Sequence, residues 1–180
     1  MTTEQLTRIL IVDDEPAILS ALRRSLQREG FDVLRAGSAV EALEALAQQP
    51  QVDLVLSDQK MPGMSGIEMM ETIRRKHPDA MRVLISAQCD IQSAADAIND
   101  GLISRFVLKP WRDEELETVV HLALRDGKLL RETRAALADV DRLVAEMGGP
   151  NPDALAASRR VVPSVKRLLE AHERRLTWGA

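Results

Sequence analysis

Polar side chains able to do chemistry follow several apolar runs of this sequence. They are three carboxylates, one hydroxyl and one ammonium, namely Asp13, Asp14, Asp58, Ser86 and Lys109. Carboxylates held close together repel one another unless a cation lies among them, and oxygen-only ligands suit Mg²⁺. An aspartate can also be a nucleophile, and a lysine and a hydroxyl can stabilise charge on a transferred phosphoryl group. These residue types therefore suit phosphoryl transfer to a carboxylate.

The five side chains can act together only if the apolar runs before them are neighbouring strands. Strand-like and helix-like segments alternate five times, and the predicted strands are residues 8–12, 32–35, 52–57, 81–86 and 103–108. This alternation predicts an α/β fold: a five-stranded doubly wound parallel sheet with helices on both faces. Ligands of such sheets bind beyond the carboxyl ends of the strands, which is where the five side chains are predicted to lie.

The intervening segments have helical periodicity and recognisable ends. The first predicted helix ends at Gly30, and the second has Ser38 as N-cap with Glu41 as its capping-box partner, three residues on. The third helix is predicted to run to about Lys76 and the fourth to end at Gly101. Each helix is therefore predicted to begin just after a strand end that carries polar residues.

Composition limits the class of protein. The chain has 180 residues, a net charge of -4, a pI near 5.5 and a single cysteine. The acidic balance argues against a general nucleic-acid binder, and the lone cysteine argues against a disulfide framework. No apolar run approaches the ~20 residues that span a bilayer. We expect a soluble cytoplasmic protein without a membrane segment.

A different pattern begins after residue 112. Apolar residues recur at spacings of three, four and seven, which predicts one long helix from about Arg112 to Met147 whose first part packs on the sheet. Residues 148–152 form a Gly- and Pro-rich break, and 153–177 are a final helical region. We therefore divide the chain into a domain of residues 1–125 and a helical extension of residues 126–180.

The motifs at the strand ends resemble a known family. They are Asp13-Asp14, Asp58, Met61-Pro62-Gly63-Met64-Ser65-Gly66, Ser86-Ala87 and Phe106-Val107-Leu108-Lys109-Pro110. In this order they resemble the receiver domain of bacterial two-component response regulators, over roughly residues 6–125. Residues 97–111 are similar to receivers joined to HD-GYP phosphodiesterases or to NtrC-like regulators.

The resemblance implies a role for each site residue. Asp58 is implied to be the phospho-acceptor, and Mg²⁺ to be held by Asp13, Asp14, Asp58 and the backbone carbonyl of Lys60. Ser86 is the implied switch hydroxyl, a serine where threonine is commoner, and Phe106 the implied aromatic switch. Lys109 is implied to contact the phosphoryl oxygens, with a cis peptide bond to Pro110. Lys60 and Gln88 are implied to flank the path of the hydrolytic water.

The function implied is that of a response regulator phosphorylated by a histidine kinase or phosphotransfer protein. We expect the phosphorylation state to control homodimerisation or partner binding through the helical extension. We expect no direct DNA binding, because the extension lacks a helix-turn-helix-like unit or a strand-rich wing. It is also too short for a catalytic domain, so no enzymatic activity is expected beyond phosphotransfer and autodephosphorylation of the receiver itself.

Two alternatives remain open. The chain can be the regulatory part of a larger protein with an enzymatic or transcriptional output, in which case the natural reading frame is longer. It can also be a phosphorelay shuttle or phosphate sink whose extension is merely structural. Deleting residues 126–180 without any effect on signalling would favour the second alternative.

Overall fold

The computed structural model describes residues 6–49, 51–87 and 90–146. The elements in chain order are β1 (Arg8–Val12), α1 (Pro16–Arg28), β2 (Asp32–Ala36), α2 (Ala39–Gln48), β3 (Leu54–Asp58), α3 (Gly66–Lys76), β4 (Met81–Ala87), α4 (Ile91–Asn99), β5 (Arg105–Lys109) and α5 (Asp113–Glu146). The predicted alternation is confirmed, although β3 and β5 each begin two residues later than predicted. Asp58 and Lys109 are the last residues of their strands. The predicted break at 148–152 and the helical region 153–177 lie outside the described residues.

All five strands are parallel and belong to one sheet. Their spatial order is β2-β1-β3-β4-β5, and every neighbouring pair is parallel. The first connection moves to one side of β1 and the later ones to the other side, so the strand order switches between β1 and β3. In open α/β sheets the crevice at the carboxyl ends beside such a switch point is the usual ligand site. The fold therefore places β1 and β3 on either side of that crevice.

The central strands are buried on both faces of the sheet. In β1, Leu10 and Val12 join a core with residues of α2, α3 and α4, whereas Ile9 and Ile11 join a core with residues of α1 and α5. All four side chains are fully buried. Burying a large apolar side chain contributes about 1.5–3 kcal/mol, so these runs hold the helices on both faces of the sheet.

Two helices near the candidate site have side-chain N-caps. At α3 the Ser65 hydroxyl accepts from the Glu68 backbone N–H, and the Glu68 carboxylate accepts from the Ser65 N–H, which completes a capping box. The box predicted at Ser38 is only half formed. Ser38 caps the Glu41 N–H at 3.2 Å, but the Glu41 carboxylate accepts from the Gly37 N–H instead. These bonds satisfy backbone donors that the first helical turn leaves free.

The first half of α5 packs on the sheet, as predicted. Leu116, Val120 and Ala123 are fully buried in the α1–α5 core. Gly127 lies against β4 so closely that an added Cβ would be 2.5 Å from Met81 Cγ. Two residues later, Leu129 is 49% exposed, whereas the next residue, Leu130, still packs against the same core. Leu129 therefore lies on the face of the helix that points away from the sheet.

Ion pairs hold α5 where it passes the amino-terminal edge of the sheet. Arg131 lies 3.3 Å from Asp53, just before β3, and Arg134 lies 2.5 Å from Asp79, just before β4. Deeper in the domain, Arg105 at the start of β5 pairs with buried Asp126 at 2.7 Å. The helix is thus attached to three strands at the edge opposite the strand ends that carry the polar residues.

Candidate functional site

Asp58 ends β3 with both carboxylate oxygens occupied. Its Oδ1 lies 2.5 Å from the Lys109 ammonium, and its Oδ2 accepts a 2.6 Å hydrogen bond from the backbone N–H of Lys60. The Ser57 hydroxyl donates to the Asp58 carbonyl at 2.8 Å. The side chain is 8% exposed, so the carboxylate is held firmly and has little contact with solvent.

Asp13 lies on the other side of the strand-order switch. It follows β1 and is fully buried. Its Oδ1 accepts from the Glu15 backbone N–H at 2.8 Å, and its Oδ2 lies 3.2 Å from the Lys109 ammonium. Asp14, the next residue, is exposed. The two adjacent aspartates therefore have different environments, one enclosed and one facing solvent.

Lys109 joins the two buried aspartates. It ends β5, where it pairs in register with Ala87 of β4, and its side chain is 24% exposed. Its ammonium reaches past β4 to Asp58 and Asp13, so one cation is shared by two carboxylates. The peptide bond between Lys109 and Pro110 is cis, as the resemblance implied.

The pKa values of Lys109 and Asp13 are both raised, for different reasons. Burial alone would lower the pKa of Lys109, but the hydrogen bonds and charges of Asp58 and Asp13 outweigh it and raise that pKa. Burial raises the pKa of Asp13, against hydrogen bonds from Glu15 and Lys109 that lower it, and the Asp58 charge raises it further. In a simple ion pair the carboxylate pKa would fall. Here burial dominates, because Asp13 has no exposed surface.

Ser86 and Phe106 lie on the two strands next to β3. Ser86 is fully buried in β4, and its hydroxyl donates only a long 3.3 Å bond to the Ala87 carbonyl. Phe106 pairs in register with Leu84 and is half-buried against the α2–α3–α4 core. Among the described residues the hydroxyl has no shorter hydrogen bond than this one, and the Phe106 ring is only partly enclosed.

Gly66 supports the site in a way that sequence reasoning did not identify. An added Cβ at this first residue of α3 would be 2.3 Å from the Asp58 carbonyl oxygen and 3.0 Å from Leu84 Cδ1. The Gly66 N–H also donates to the Gln59 carbonyl at 3.0 Å. The Met64-Ser65-Gly66 motif pointed to this position, but only the folded distance gives its role: α3 begins directly against the end of β3.

The donor set suits a hard divalent cation. Asp13, Asp14 and Asp58 offer three negative charges against the single positive charge of Lys109, and the unbalanced charge is part of what raises the pKa of Asp13. Oxygen ligands of this kind fit Mg²⁺. In the described residues, however, no three His, Cys, Asp or Glu side chains form a group ready to hold a metal ion. The carboxylates would have to reorient around a cation, because Lys109 already bridges two of them.

The other residues at this edge are placed as follows. The Lys60 ammonium pairs with Asp90, before α4, at 3.1 Å. Gln88 lies outside the described residues. The structure thus brings Asp13, Asp58 and Lys109 into direct contact and places Asp14, Lys60 and Ser86 at the same edge of the sheet. No helix in the described part of the chain is long and apolar enough to cross a membrane.

The strand order, the helices on both faces and the polar side chains at one edge define a flavodoxin-like receiver domain. The chain belongs to the response regulator receiver family, whose family model, described as "Response regulator receiver domain", matches residues 9–121. The predicted family and fold are therefore confirmed.

Comparisons with individual proteins agree with this assignment. The hydrogenase transcriptional regulatory protein HoxA of Cupriavidus necator is 36% identical over 152 residues, which cover 84% of this chain and 30% of HoxA. The receiver domain of an HD domain-containing protein from Pseudomonas fluorescens is 33% identical, with a TM-score of 0.64, over 69% of this chain and 98% of that one. The response regulator TrrA of Thermotoga maritima, solved in complex with Mg²⁺ and BeF, is 35% identical with a TM-score of 0.58, over 64% and 97% of the two chains.

The relatives include longer proteins. The chain spans 30% of the length of the HoxA protein of Cupriavidus necator and 27% of that of Bradyrhizobium diazoefficiens. The shared part is therefore the receiver region and what directly follows it.

Proposed function

We propose that this chain is a response regulator that accepts a phosphoryl group on Asp58 from a histidine kinase or phosphotransfer protein. The observation that carries the proposal is the Lys109 ammonium, which lies 2.5 Å from Asp58 and 3.2 Å from Asp13 at the carboxyl edge of the sheet. In the transfer, the P–N bond of a donor phosphohistidine breaks as a P–O bond to an Asp58 oxygen forms. The imidazole nitrogen keeps the electron pair of the broken bond.

The protein residues have separate tasks in this step. The Lys60 N–H fixes one Asp58 oxygen, and Lys109 stabilises the charge that the arriving phosphoryl oxygens bring. The Ser86 hydroxyl can turn from its weak bond with the Ala87 carbonyl towards the same oxygens, and Phe106 then turns inward beside it. An ionised carboxylate is already a nucleophile, so the transfer needs no general base to activate Asp58.

Magnesium completes the charge balance of the proposed site. Asp13, Asp14, Asp58 and the Lys60 carbonyl would hold it, and it would supply positive charge to the phosphoryl oxygens. The solved complex of TrrA with Mg²⁺ and BeF supports this proposal by family likeness. Within this chain, the support is the set of three carboxylates at one strand edge with only one cation among them.

The phosphorylation state is proposed to act on the helical extension. Phe106 lies on β5, and α5 begins four residues after Lys109 and continues as one helix to Glu146. A change at β5 therefore reaches α5 through a very short connection. On α5, the exposed Leu129 belongs to an apolar series in the sequence that continues with Ala136, Leu143 and Met147. A second copy of this helix can cover that series, so phosphorylation is proposed to promote dimerisation.

The test is phosphorylation of the full chain with acetyl phosphate, or treatment with beryllofluoride, in the presence of Mg²⁺. Intact mass spectrometry should detect one added phosphoryl group in the wild type and none in Asp58→Ala, and scattering should report a larger mass in solution for the treated wild type. Modification of Asp58→Ala to the same level would contradict the assignment of Asp58. A normally phosphorylated protein with unchanged mass in solution would contradict only the proposal for the extension.

A second function is supported by the lengths of the relatives. Because the chain spans 30% of HoxA, a transcriptional regulator by name, the receiver can be the regulatory part of a longer protein with its own output. The expectation of no direct DNA binding then applies only to the 180 residues given. A natural reading frame that continues past residue 180 into a further domain would favour this function.

A further inference from the structure

Three arginines on one side of the domain have no acidic partner among the described residues. Arg23, Arg24 and Arg35 form no ion pair or side-chain hydrogen bond with other described residues. By contrast, Arg8, Arg105 and Arg131 each pair with an aspartate. Arg23 and Arg24 lie on α1 and Arg35 on the edge strand β2, so two separate elements bring the three guanidinium groups together.

These arginines line one cleft between α1 and β2. Its walls are Ser20, Arg23, Arg24, Gln27, Arg28 and Arg35, and its volume is about 460 Å³. No acidic side chain lines it. Arg28 is balanced by Asp113 at 2.5 Å, which leaves three unbalanced positive charges. They stand out because residues 1–124 carry 13 Lys and Arg against 20 Asp and Glu, a net charge of -7.

Arg23 is also incompletely satisfied inside the cleft wall. Its Nε is buried without a hydrogen-bond partner among the described atoms. A buried N–H without an acceptor is unfavourable, so a turn of this guanidinium that brought Nε to a ligand oxygen would relieve it. Arg35, on β2, is exposed and lines the same cleft, so a ligand there would be contacted from both elements.

From the charges and the shape, we infer that this cleft binds a small anion carrying at least two phosphoryl groups. Guanidinium groups match phosphoryl oxygens through paired hydrogen bonds, which ammonium groups cannot form. Three unbalanced charges correspond to the charge of a diphosphate group rather than of a single carboxylate. The cleft volume lies in the usual range of small-molecule sites. The proposed site is formed by α1 and β2 and does not involve Asp58, so it stands apart from the proposed phosphorylation.

The test is calorimetric titration of the full chain with pyrophosphate, in EDTA and at fixed ionic strength. We expect one site per chain, with affinity reduced at least tenfold by Arg23→Gln and by Arg35→Gln. Arg75→Gln is the matched control, because Arg75 lies on α3, away from the cleft, and has no ion pair with a described residue; it should change the affinity less than twofold. Sulfate should bind at least tenfold more weakly than pyrophosphate.

Several results would overturn the inference. Equal weakening by Arg75→Gln, or sulfate binding as tight as that of pyrophosphate, would mean that only general charge attraction is at work. Loss of binding in Asp58→Asn with retention in Arg35→Gln would place the anion at the strand ends instead. Binding of poly-glutamate without binding of pyrophosphate would make the arginines a docking surface for an acidic protein. Circular dichroism of each variant verifies that the fold is retained.

Discussion

Lys109 forms an ion pair with Asp58 across the carboxyl edge of the sheet, with 2.5 Å between Nζ and Oδ1. The two residues end β5 and β3, with β4 between them, so the pair spans three strands. Both side chains are mostly buried. The pair therefore couples the stability of the unphosphorylated domain to the residues that we assign to phosphoryl transfer.

Removing this cation should destabilise the domain. Lys109→Met leaves Asp58 and Asp13 buried with no positive charge between them, and breaking one partner of a buried pair costs about 3 kcal/mol. Urea denaturation at pH 7 without Mg²⁺ measures the effect. Lys128→Met is the matched control, because Lys128 forms an exposed pair with Glu132 at 3.9 Å and should change stability by less than about 0.5 kcal/mol. Equal effects of the two variants would contradict the prediction.

Removing the charge of Asp13 should have the opposite effect in the metal-free protein. Burial raises the pKa of Asp13, so the folded state binds this proton more tightly than the unfolded chain does. The resulting stability is present below the unfolded pKa and is lost as the pH rises through the folded pKa. At pH 7 the ionised side chain is therefore unfavourable, and Asp13→Asn should stabilise the domain by on the order of 1 kcal/mol.

Thermal unfolding measured against pH checks this sign. The difference between wild type and Asp13→Asn should be largest near neutrality and should shrink as the pH falls below about 4, near the unfolded pKa of aspartate. Asp14→Asn is the comparison variant, because its side chain is exposed and its stability should match the wild type without Mg²⁺. Both variants should lose the stabilisation that added Mg²⁺ gives the wild type. A less stable Asp13→Asn protein at pH 7 would show that the Lys109 attraction outweighs burial.

Gly66→Ala should damage the end of β3. The new Cβ would lie 2.3 Å from the Asp58 carbonyl oxygen, so α3 or the strand must shift, at a cost of about 1–3 kcal/mol. Phosphorylation by acetyl phosphate should also slow, because Asp58 moves with its backbone. Gly37→Ala is the control, since its added Cβ meets only the end of the Glu41 side chain, at 3.3 Å. If both variants had similar free energies of unfolding and similar phosphorylation rates, Gly66 would have no positioning role.

The buried pair between β5 and α5 should behave non-additively. Asp126→Asn leaves Arg105 in a buried position with its Nε already without a partner, and a loss of about 2–4 kcal/mol is expected. The double variant Arg105→Met with Asp126→Leu removes both charges and should recover most of that stability. A cycle of Arg105→Met, Asp126→Leu and the double variant, measured by urea denaturation, gives the coupling energy between the two residues. An additive result would mean that the pair contributes little.

The apolar series of α5 that contains the exposed Leu129 should govern self-association. Leu129→Glu places a charge where we propose that a second copy packs, and it should keep the phosphorylated chain monomeric without changing its phosphorylation rate. Thr118→Glu is the control, since Thr118 is exposed on the same helix but lies outside the apolar series. Dimerisation of Leu129→Glu at the wild-type level, measured by scattering, would move the interface elsewhere.

The strand ends were predictable because apolar β-branched runs buried on both faces are a local signal. Asp58 and Lys109 follow such runs, and parallel strands bring their carboxyl ends to one edge whatever the strand order. The contacts that hold α5 were not predictable in the same way. Its sequence has two overlapping apolar series, one through Val119, Leu122 and Leu129 and one through Leu116, Ala123 and Leu130. Val120, which is buried in the core, and Gly127, which lies against Met81, belong to neither. Which series faces the sheet depends on distances between segments far apart in the sequence.

The sequence pattern also did not predict which side chains pair with one another. Glu41 satisfies the spacing of a capping box with Ser38, yet its carboxylate accepts from the Gly37 N–H, because two neighbouring donors compete for one acceptor. Likewise, Asp13 and Asp58, two of the three aspartates predicted to share a cation, are bridged by Lys109. A spacing rule identifies which groups are near one another, and the folded geometry decides which of them pair.

Because α5 is long and is bonded to the sheet near its middle, a small tilt there moves its far end. The helix has 34 residues, and at 1.5 Å per residue it is about 50 Å long. Among the described side chains, Arg134 is the last that bonds to another element, and the helix continues for about 20 Å beyond it, to Glu146. A tilt of about 5° at the sheet would displace a point that far along the helix by only about 2 Å. A partner that senses the phosphorylation state at that distance therefore depends on the rigidity of the helix, because the movement at the phosphorylated end is small.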